Sequence, residues 1–470
     1  MQEIEADYVI VGAGCAAMSF ADTLLSDTDA TIAIVDRRHA PGGHWNDAYP
    51  FVRLHAPGVL YGVNSRALGS EAIEPAGPNQ GLLELTGAAE IRAYFDRLMR
   101  ERFLASGRVR YLPMSDYQGD GIVRSRLDGS RMRVRARKRL VDATYADTRL
   151  PSTHAPDFDF APGVRLVGPH ELPRLAEPAA GWVVIGAGKT AIDTVVWLLD
   201  QGVAPEQVTW VRPRDQWFIP RETMQPADAF FEATIGAFAA ELEVAARAAS
   251  LDGLFEDLEA AGLLTRIDRA VTPTMYRCAV VGAGELARLR QVDQVVRLGH
   301  VTAIEPDRMV LKEGVVPMAP GQVYVNCTAD GIPRQAPQPV FQPDRILLQY
   351  VRKCSPSFSA ALIAHVEATC ASDEEKNRMC RTIAAPDEPL DWLRGHLHEA
   401  GNRVRWAERP QLQAWVASSR LDRFSGMIAR AMQAQTPGAL EIVERYRLAM
   451  KPGLRRLAEL MDERRVLEPA

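Results

Sequence analysis

The chain has 470 residues, enough for two or three domains with sizeable hydrophobic cores. Its formal charge at pH 7 is −5, so we expect neither nucleic acid nor an anionic membrane as a partner. The N-terminus enters a strand almost at once and no apolar run reaches bilayer length, so we expect neither a signal peptide nor a membrane span. The six cysteines are scattered without a CxxC pair, which is typical of a reducing compartment. We therefore predict a cytoplasmic protein that performs no dithiol–disulfide exchange.

The first predicted unit is a strand, a glycine-rich turn and a helix. An apolar strand over residues 8–11 leads into a GxGxxA motif, whose first glycine permits a tight turn and whose second lets a pyrophosphate approach the backbone. The N-terminus of the following helix offers free N–H groups and partial positive charge to phosphates. The residues that we expect to bind a dinucleotide here are Gly12, Gly14, Cys15, Ala16 and Ala17.

The next strand indicates which dinucleotide this unit binds. It covers residues 31–35 and ends in Asp36, followed by Arg37. An acidic residue at that place can accept hydrogen bonds from the adenosine ribose hydroxyls and would repel a 2′-phosphate. We therefore assign FAD to the first unit, with Asp36 and Arg37 among its contacts. The alternative is that Asp36 is only a solvated charge at a strand end.

A second unit repeats the pattern, with an apolar strand over residues 183–185 before another GxGxxA motif. The expected cofactor contacts in this motif are Gly186, Gly188, Lys189 and Thr190. The following strand, over residues 208–211, ends in Arg212 with Arg214 beside it, and arginine at that edge suits a 2′-phosphate. Lys189 opposes the helix dipole unless an anion binds there. We therefore assign NADPH to this unit, the alternatives being that Lys189 points into water and that Arg212 is a solvated charge.

A third match to GxGxxA covers residues 282–287. No second strand ending in an acidic or basic residue follows its helix, as nucleotide binding requires. We interpret it as a loop and helix start that bind no nucleotide.

The predicted fold is α/β, with two Rossmann-like dinucleotide-binding domains and a mainly helical C-terminal region. The expected parts are a FAD-binding domain over residues 1–150, a proline-rich linker over 151–180, an NADPH-binding domain with a helical insertion over 181–322, a return to the FAD domain over 323–350 and the helical region over 351–470. Strands near the two junctions end in small residues, at Thr144 and at Thr328 and Ala329. The helical region shows no metal-ligand spacing, so we expect no metal.

The paired motifs resemble the two-dinucleotide-binding-domain flavoproteins, and most of all the flavin-containing and Baeyer–Villiger monooxygenases. Those families carry a GGxW element after the FAD strand, and here residues 42–45 match it; the resemblance implies FAD contacts from Gly43, His44 and Trp45. Residues 49–55 are similar to the Baeyer–Villiger tyrosine-proline-to-arginine stretch, and Thr144 and Thr328 resemble the hinge segments. The resemblance covers about residues 1–335.

The sequence also departs from these families, as a divergent member would. The Baeyer–Villiger linker fingerprint FxGxxxHxxxW is not present, and an aspartate that those enzymes place near the flavin aligns with His55. Neither departure touches cofactor binding, but both count against ketone-to-ester oxidation.

The resemblance implies that NADPH transfers a hydride to flavin N5 and that reduced flavin and O2 form a C4a-(hydro)peroxide, which delivers one oxygen atom to a small molecule. The segment between GGxW and Tyr61 should fold back over the isoalloxazine. Arg53 and His55 are therefore the catalytic candidates, since they could stabilise or protonate the peroxide. In the alternative, either residue binds FAD phosphate or ribose.

Three functions stay open on these grounds. The first is an NADPH-consuming FAD monooxygenase, and the second is an FAD dehydrogenase or oxidase, or an NADPH-dependent reductase, without oxygen insertion. The third is a flavin-holding regulatory or scaffold protein, which would have no use for Arg212 and Lys189. The sequence does not identify the substrate, and a homodimer is one alternative for the oligomeric state.

Overall fold

A computed structural model describes residues 2–146, 148–329, 331 and 335–467. The strands, in chain order, are β1 (Gln2–Val11), β2 (Ile32–Val35), β3 (Gly62–Val63), β4 (Arg66–Ala67), β5 (Val109–Leu112), β6 (Ser115–Tyr117), β7 (Ile122–Ser125), β8 (Arg131–Asp142), β9 (Asp159–Phe160), β10 (Arg165–Val167), β11 (Gly181–Ile185), β12 (Val208–Val211), β13 (Gln216–Pro220), β14 (Met275–Val281), β15 (Val295–Val296), β16 (Val301–Ile304), β17 (Arg308–Leu311), β18 (Gly314–Pro317), β19 (Gln322–Asn326) and β20 (Arg345–Leu347). The helices are α1 (Cys15–Asp27), α2 (Ala88–Leu98), α3 (Lys189–Asp200), α4 (Phe231–Arg247), α5 (Leu251–Ala260), α6 (Ala283–Leu289), α7 (Pro356–Thr369), α8 (Asp373–Met379), α9 (Pro389–Ala407), α10 (Pro410–Ser418), α11 (Arg423–Ala434) and α12 (Pro437–Leu467). This order confirms the mixed α/β class predicted from the sequence.

The first sheet is built around β1. Its strand order is β5-β2-β1-β8-β7-β6, and β20 also pairs with β8. The strands β5, β2, β1, β8 and β20 run parallel, whereas β6 and β7 extend the sheet with antiparallel pairs. All four residues of β2 are buried, as expected of a parallel strand covered on both faces. The helix α1 leads from β1 to β2 and packs against α7.

The second sheet has five parallel strands in the order β10-β19-β11-β12-β15. The helix α3 leads from β11 to β12, just as α1 leads from β1 to β2. Each of the two sheets therefore contains the strand–glycine turn–helix–strand unit that the sequence predicts. In the second sheet, Val183, Val184 and Val208 are fully buried and form part of the core.

Two domain boundaries predicted from the sequence need correction. The segment 151–180, predicted to be a linker, contains β10, which pairs with β19 in the second sheet. The first domain was predicted to resume at residue 323. The strand there is β19, which pairs with β10 and β11 of the second sheet. The chain rejoins the first sheet only at β20, which pairs with β8. Proline density excludes a helix but not a strand of three residues, and an apolar strand carries no local signal for the parallel sheet that it joins.

Smaller elements surround the second sheet. The strands β13 and β14 form a parallel pair, and β18-β17-β16-β9 form a four-stranded sheet. The helical region predicted after residue 351 is confirmed by α7 to α12. The helix α12 packs along α4, where a Cβ on Gly453 would lie 2.7 Å from the carbonyl oxygen of Leu242. Within the described ranges, no helix combines the length and the apolar character that crossing a bilayer demands.

Two of the scattered cysteines are brought together by the fold. Cys278 in β14 and Cys354 just before α7 form a disulfide, with their Cα atoms 6.4 Å apart. The two residues are separated by 76 positions, so no CxxC-type spacing could reveal the pair.

Candidate functional site

The first glycine loop lies at the carboxyl end of β1 and opens onto the N-terminus of α1. Gly12 has φ +102°, a conformation that residues with a side chain rarely adopt. Gly14 is the N-cap of α1; among the described residues no side chain caps it, and the first turn holds no acidic residue. A Cβ at Gly14 would meet only the Cα of Gly43, at 3.6 Å. The N–H groups of this turn therefore have no side-chain partner among the described residues and could donate to an anion.

The residues after Gly14 shape the start of α1. Ala17 is fully buried, so its small size serves close packing between helix and sheet. The Cys15 sulfur lies 3.0 Å from Oγ of Ser357, and burial raises the pKa of this thiol. Ala16 is half-buried. These residues therefore offer backbone N–H groups, rather than side chains, to a phosphate.

Asp36 reaches from the end of β2 back to the glycine loop. Its Oδ2 accepts the N–H of Ala13 at 2.5 Å, and its Oδ1 accepts the N–H of Arg38 at 2.7 Å. Asp36 is only 4% exposed, so it is not a solvated charge at a strand end, as the alternative interpretation proposed. Burial raises the pKa of its carboxyl group. Each oxygen keeps a second lone pair with which a ribose hydroxyl could be bound. Arg37 is exposed next to it.

The GGxW segment packs directly on this loop. The N–H of Gly42 donates to the carbonyl oxygen of Ala13 at 2.8 Å. A Cβ at Gly43 would lie 2.8 Å from the Cα of Gly14, so only glycine allows this approach. The structure therefore brings the two predicted FAD segments together.

Aromatic side chains continue from this segment. Trp45 is buried, and its Nε1 donates to the Tyr61 hydroxyl at 2.9 Å. The rings of His44 and Trp45 are 5.0 Å apart between centroids. Removal from water lowers the pKa of His44 to about 4, so this imidazole is neutral at pH 7.

Thr144 and Thr328 have the same local structure in the two sheets. The N–H and Oγ1 of Thr144 donate to Oδ1 of Asp142 at 2.8 and 2.6 Å, and those of Thr328 donate to Oδ1 of Asn326 at 3.0 and 2.6 Å. Each threonine adjoins a glycine loop: a Cβ at Gly12 would lie 3.5 Å from Cγ2 of Thr144, and one at Gly186 would lie 3.1 Å from the carbonyl oxygen of the residue before Thr328. Ala329, next to Thr328, is half-buried.

The second glycine loop joins β11 to α3 with the same backbone. Gly186 has φ +131°. Gly188 is the N-cap of α3, and no side chain of the described residues caps this helix. A Cβ at Gly188 would meet nothing within 4 Å. This loop is therefore as open to a phosphate as the first.

Lys189, in the first turn of α3, pairs with Asp193 one turn further along the same helix. Its Nζ lies 2.6 Å from both carboxylate oxygens of Asp193, and Oδ2 of Asp193 accepts the Tyr49 hydroxyl at 2.7 Å. Thr190 also adjoins Tyr49. Lys189 is thus not the lysine pointing into water of the alternative interpretation. The positive charge of Lys189 also helps to lower the pKa of His55.

Arg212 ends β12 with its side chain buried. Its Nε and Nη1 have no hydrogen-bond partner in the described part of the chain, and its nearest acid is Asp215, with Nη1 and Oδ1 3.4 Å apart. The guanidinium carbon lies 4.8 Å from the ring centroid of Trp210. Burial lowers the pKa of Arg212 to about 10. Unpaired buried donors are costly, so this residue suits an added anion.

Arg214, two residues on, is already engaged. Its Nη1 donates to Oδ2 of Asp387 at 2.9 Å, and its Nη2 donates to the carbonyl oxygen of Thr274 at 2.6 Å. The two arginines that the sequence places side by side therefore differ in what they can still bind.

The third GxGxxA match, between β14 and α6, is closed by side chains. Oε2 of Glu285 accepts the N–H of Gly282 at 3.1 Å, and Oε1 of Glu222 accepts the N–H of Ala283 at 2.9 Å. A Cβ at Gly284 would lie 2.4 Å from the carbonyl oxygen of Pro78. The chain's own carboxylates and backbone thus occupy the place of a phosphate, which agrees with the prediction that this loop binds no nucleotide.

The two predicted catalytic residues have different surroundings. Arg53 pairs through Nη2 with Glu74, donates through Nε to the carbonyl oxygen of Leu85 at 2.9 Å and has a 47% exposed side chain. His55 is half-buried, and its Nδ1 accepts the backbone N–H of Val280 at 3.2 Å. Burial, then Lys189, lower the pKa of His55 to about 3. His55 is therefore neutral at pH 7 and carries its proton on Nε2.

Arg221 supports His55 and was not anticipated from the sequence. It is 1% exposed, and its Nε donates to the carbonyl oxygen of His55 at 3.1 Å. Its Nη1 donates to Oδ1 of Asn79 at 3.2 Å, and its Nη2 to Oε2 of Glu285 at 2.7 Å. Nothing in the local sequence marks this arginine, because its partners lie in three distant segments.

The residues present fit two dinucleotides. Two helix starts have no capping side chain among the described residues, Asp36 keeps lone pairs that a ribose hydroxyl could use, and Arg212 has buried donors without a hydrogen-bond partner there. Across the described residues, no group of three or more His, Cys, Asp or Glu side chains is placed to hold a metal ion.

No protein-family model matches the sequence. Among solved structures, the chain is similar to a flavin-containing monooxygenase from Stenotrophomonas maltophilia (17% identity, 88% of this chain and 100% of that one, TM-score 0.43) and to the open form of cyclohexanone monooxygenase (12%, 93% and 99%, 0.46). It is also similar to an oxidized steroid monooxygenase bound to NADP (14%, 92% and 99%, 0.44). At TM-scores below 0.5, these likenesses decide nothing about activity.

The sequence relatives are much nearer. The chain is 47% identical over 425 residues to the uncharacterized protein Rv2000 of Mycobacterium tuberculosis, a match that covers 90% of this chain and 79% of that protein. The same figures hold for the protein Mb2023 of Mycobacterium bovis. The chain therefore belongs to the family of these mycobacterial proteins.

Proposed function

We propose that this chain is an NADPH-consuming, FAD-dependent oxidoreductase, and that it acts as a monooxygenase on a small molecule. The contrast between its three glycine loops carries the proposal. Two loops lead into helices whose first turns are uncapped in the described residues, whereas carboxylates of the chain close the third. A protein that used these loops only for structure would gain by capping all of them.

The first loop would hold FAD. The backbone of Gly14, Cys15 and Ala16 offers N–H groups to the pyrophosphate, and Asp36 offers its oxygens to the ribose. Gly43, which packs against Gly14, and the buried Trp45 would line the part of this site that holds the flavin.

The second loop would hold NADPH. Gly188 and the first turn of α3 would bind its pyrophosphate, and Arg212 would bind the 2′-phosphate with the donors that have no hydrogen-bond partner in the described chain. When both cofactors are bound, NADPH supplies a hydride that FAD can pass on as an electron pair to O2 or to another acceptor.

The chain's own residues would orient the reactants between the loops. His55, held by Val280 and Arg221, presents a fixed Nε2–H donor rather than a titrating acid or base. A preorganised neutral donor stabilises developing negative charge without releasing a proton. Trp45 and Tyr61 would exclude water from the same side.

One observation favours the second candidate, an oxidase or reductase without oxygen insertion. Arg53, the other residue expected to stabilise oxygen-derived charge, is paired with Glu74. A site that lacks this cation would protect a reduced oxygen species less well.

The proposal is tested with full-length protein loaded with FAD. We expect a bound-flavin spectrum, anaerobic bleaching by NADPH and, with a panel of ketones and thioethers under labelled O2, one labelled oxygen atom in a product. Recovery of all consumed NADPH as H2O2 with every compound would support the second candidate instead. Protein that binds no FAD would overturn both.

We further propose that the protein works in the cytoplasm with a small-molecule substrate and O2, binding neither nucleic acid nor membrane, as a monomer or a homodimer. Fractionation of cells with an antibody against the chain tests the compartment, and light scattering tests the oligomeric state.

A further inference from the structure

The Cys278–Cys354 disulfide joins two segments, each of which contacts a residue of the proposed site within three positions of its cysteine. Cys278 lies two residues before Val280, whose N–H donates to His55. Cys354 lies three residues before Ser357, whose Oγ lies 3.0 Å from the sulfur of Cys15 at the first glycine loop. The bridge therefore links the strand that holds His55 to the segment that contacts the start of α1.

The backbone at both ends of the bridge is unusual. Among the described residues, five that are not glycine have φ in the left-handed region, and two of them are Cys278 (φ +53°) and Cys354 (φ +55°). Non-glycine residues rarely adopt this conformation, and such outliers concentrate at functional sites. Cys278 lies where the register of β14 shifts against β13, so its end of the bridge is held by the sheet.

The two cysteines also differ in access to solvent. Cys278 is 8% exposed, whereas Cys354 is exposed. Thiol–disulfide exchange needs one sulfur that an external partner can reach and a second sulfur that resolves the mixed disulfide. The pair has this asymmetry.

We propose that the Cys278–Cys354 disulfide is a second redox centre, which receives an electron pair from NADPH through FAD and passes it through Cys354 to small soluble disulfides. This inference rests on the proposed FAD and NADPH sites. One NADPH and one proton convert the S–S bond into two thiols and release NADP⁺. The Cys354 thiolate then attacks an external disulfide and expels one thiol, and Cys278 attacks the Cys354 sulfur, expels the second thiol and restores the bridge.

The first experiment counts electrons and thiols in the FAD-loaded full chain. Under anaerobic conditions, we expect two NADPH per FAD for the wild type, and mass spectrometry after alkylation should show two new labelled cysteines, at positions 278 and 354. The same protein without FAD should keep the bridge unlabelled in the presence of NADPH. Cys354→Ser and Cys354→Gly should take one NADPH per FAD; glycine adopts φ +55° freely, so the second variant guards against a folding defect.

The second experiment measures turnover with 5,5′-dithiobis(2-nitrobenzoate) as the external disulfide. We expect NADPH-dependent release of the yellow thiolate by the wild type and by the control Cys370→Ser, and at least a tenfold loss in Cys354→Gly. Wild-type FAD that bleaches with one NADPH while positions 278 and 354 stay unlabelled would overturn this inference and leave the proposed function intact. Protein that binds no FAD would overturn the inference together with the proposed function.

Discussion

The backbone N–H of Val280 donates to Nδ1 of His55 over 3.2 Å, across 225 residues of sequence. Because a backbone N–H can only donate, Nδ1 must be unprotonated, and the imidazole carries its proton on Nε2. Burial, then Lys189 and Arg221, lower the pKa of His55 to about 3. Strand β14 thus determines the tautomer of His55, which lies in the segment after β2.

The first prediction concerns the stability of His55→Asn at acid pH. In the unfolded chain a histidine has a pKa near 6.5, whereas His55 in the folded chain protonates only near pH 3. Between these values the unfolded chain binds a proton that the folded chain does not, so stability is lost as pH falls below about 6.5. At pH 5 this loss is about 2 kcal/mol, at about 1.36 kcal/mol per pKa unit.

Asparagine keeps an oxygen that can accept from Val280 but cannot titrate in this range. Urea unfolding at pH 7 and pH 5 should therefore show that the variant loses about 2 kcal/mol less than the wild type between these two pH values. His44 contributes equally to both proteins and cancels in the comparison. Equal losses in the two proteins would show that His55 is charged in the folded state at pH 5.

The second prediction separates the binding and the folding roles of the glycines. A Cβ at Gly14 meets only the Cα of Gly43 at 3.6 Å, and one at Gly188 meets nothing within 4 Å. Gly14→Ala and Gly188→Ala should therefore fold normally. The methyl group would occupy the space of a pyrophosphate, so the Kd should rise at least about tenfold, for FAD in the first variant and for NADPH in the second.

Gly12→Ala is the matched control for strain. Gly12 has φ +102°, so alanine there should lower the free energy of unfolding by about 1–2 kcal/mol. Calorimetry of the proteins without cofactor, and flavin absorbance after dialysis, measure the two effects separately. If Gly14→Ala retained FAD as tightly as the wild type, the first loop would not bind the pyrophosphate.

The third prediction compares Arg212→Met with Arg214→Met. Arg212 keeps two buried donors without a hydrogen-bond partner in the described chain, and its ion-pair contact with Asp215 is 3.4 Å long, whereas Arg214 donates to Asp387 and Thr274. Arg212→Met should lower the kcat/KM preference for NADPH over NADH at least about tenfold, or about 1.4 kcal/mol. It should leave the cofactor-free protein as stable as before or more stable, because unpaired donors are removed.

Arg214→Met should have the opposite profile, with lower stability and a nearly unchanged preference. The measurements are initial rates with each nucleotide and thermal unfolding with 2′,5′-ADP, which should stabilise only proteins that retain Arg212. A large loss of preference in Arg214→Met alone would move the 2′-phosphate site to that residue.

The parts of the site that the sequence could predict are those encoded locally. A GxGxxA motif after an apolar strand specifies its own turn, and Gly12 and Gly186 indeed have the left-handed backbone that the motif requires. Asp36 and Arg212 follow from the same unit, because each ends the next strand. The prediction for the third loop relied on the absence of such a strand, but β15 and then Arg297 follow its helix. The carboxylates of Glu285 and Glu222 that close this loop are not evident from the local motif.

The remainder depends on contacts between distant segments. Tyr49 and Asp193 are 144 residues apart, and Cys278 and Cys354 are 76 apart. No periodicity or spacing in a single sequence brings such residues together. The sheet membership of β19 was missed for the same reason, since its apolar residues would suit either parallel sheet.

The last prediction concerns the hydrogen bond between Tyr49 and Asp193, which joins the two glycine-loop units. The Tyr49 hydroxyl donates to a carboxylate that also binds Lys189. Tyr49→Phe leaves this buried carboxylate with one partner fewer and should cost about 1–3 kcal/mol of unfolding free energy. It should also slow the anaerobic reduction of FAD by NADPH, because the two loops would no longer be held in one relative position. Tyr8→Phe, which removes a similar 2.8 Å bond from β1 to Glu367 in α7, is the control and should lower stability without slowing reduction. Stopped-flow absorbance and urea unfolding measure the two effects, and equal reduction rates in both variants would show that this bond does not position the cofactors.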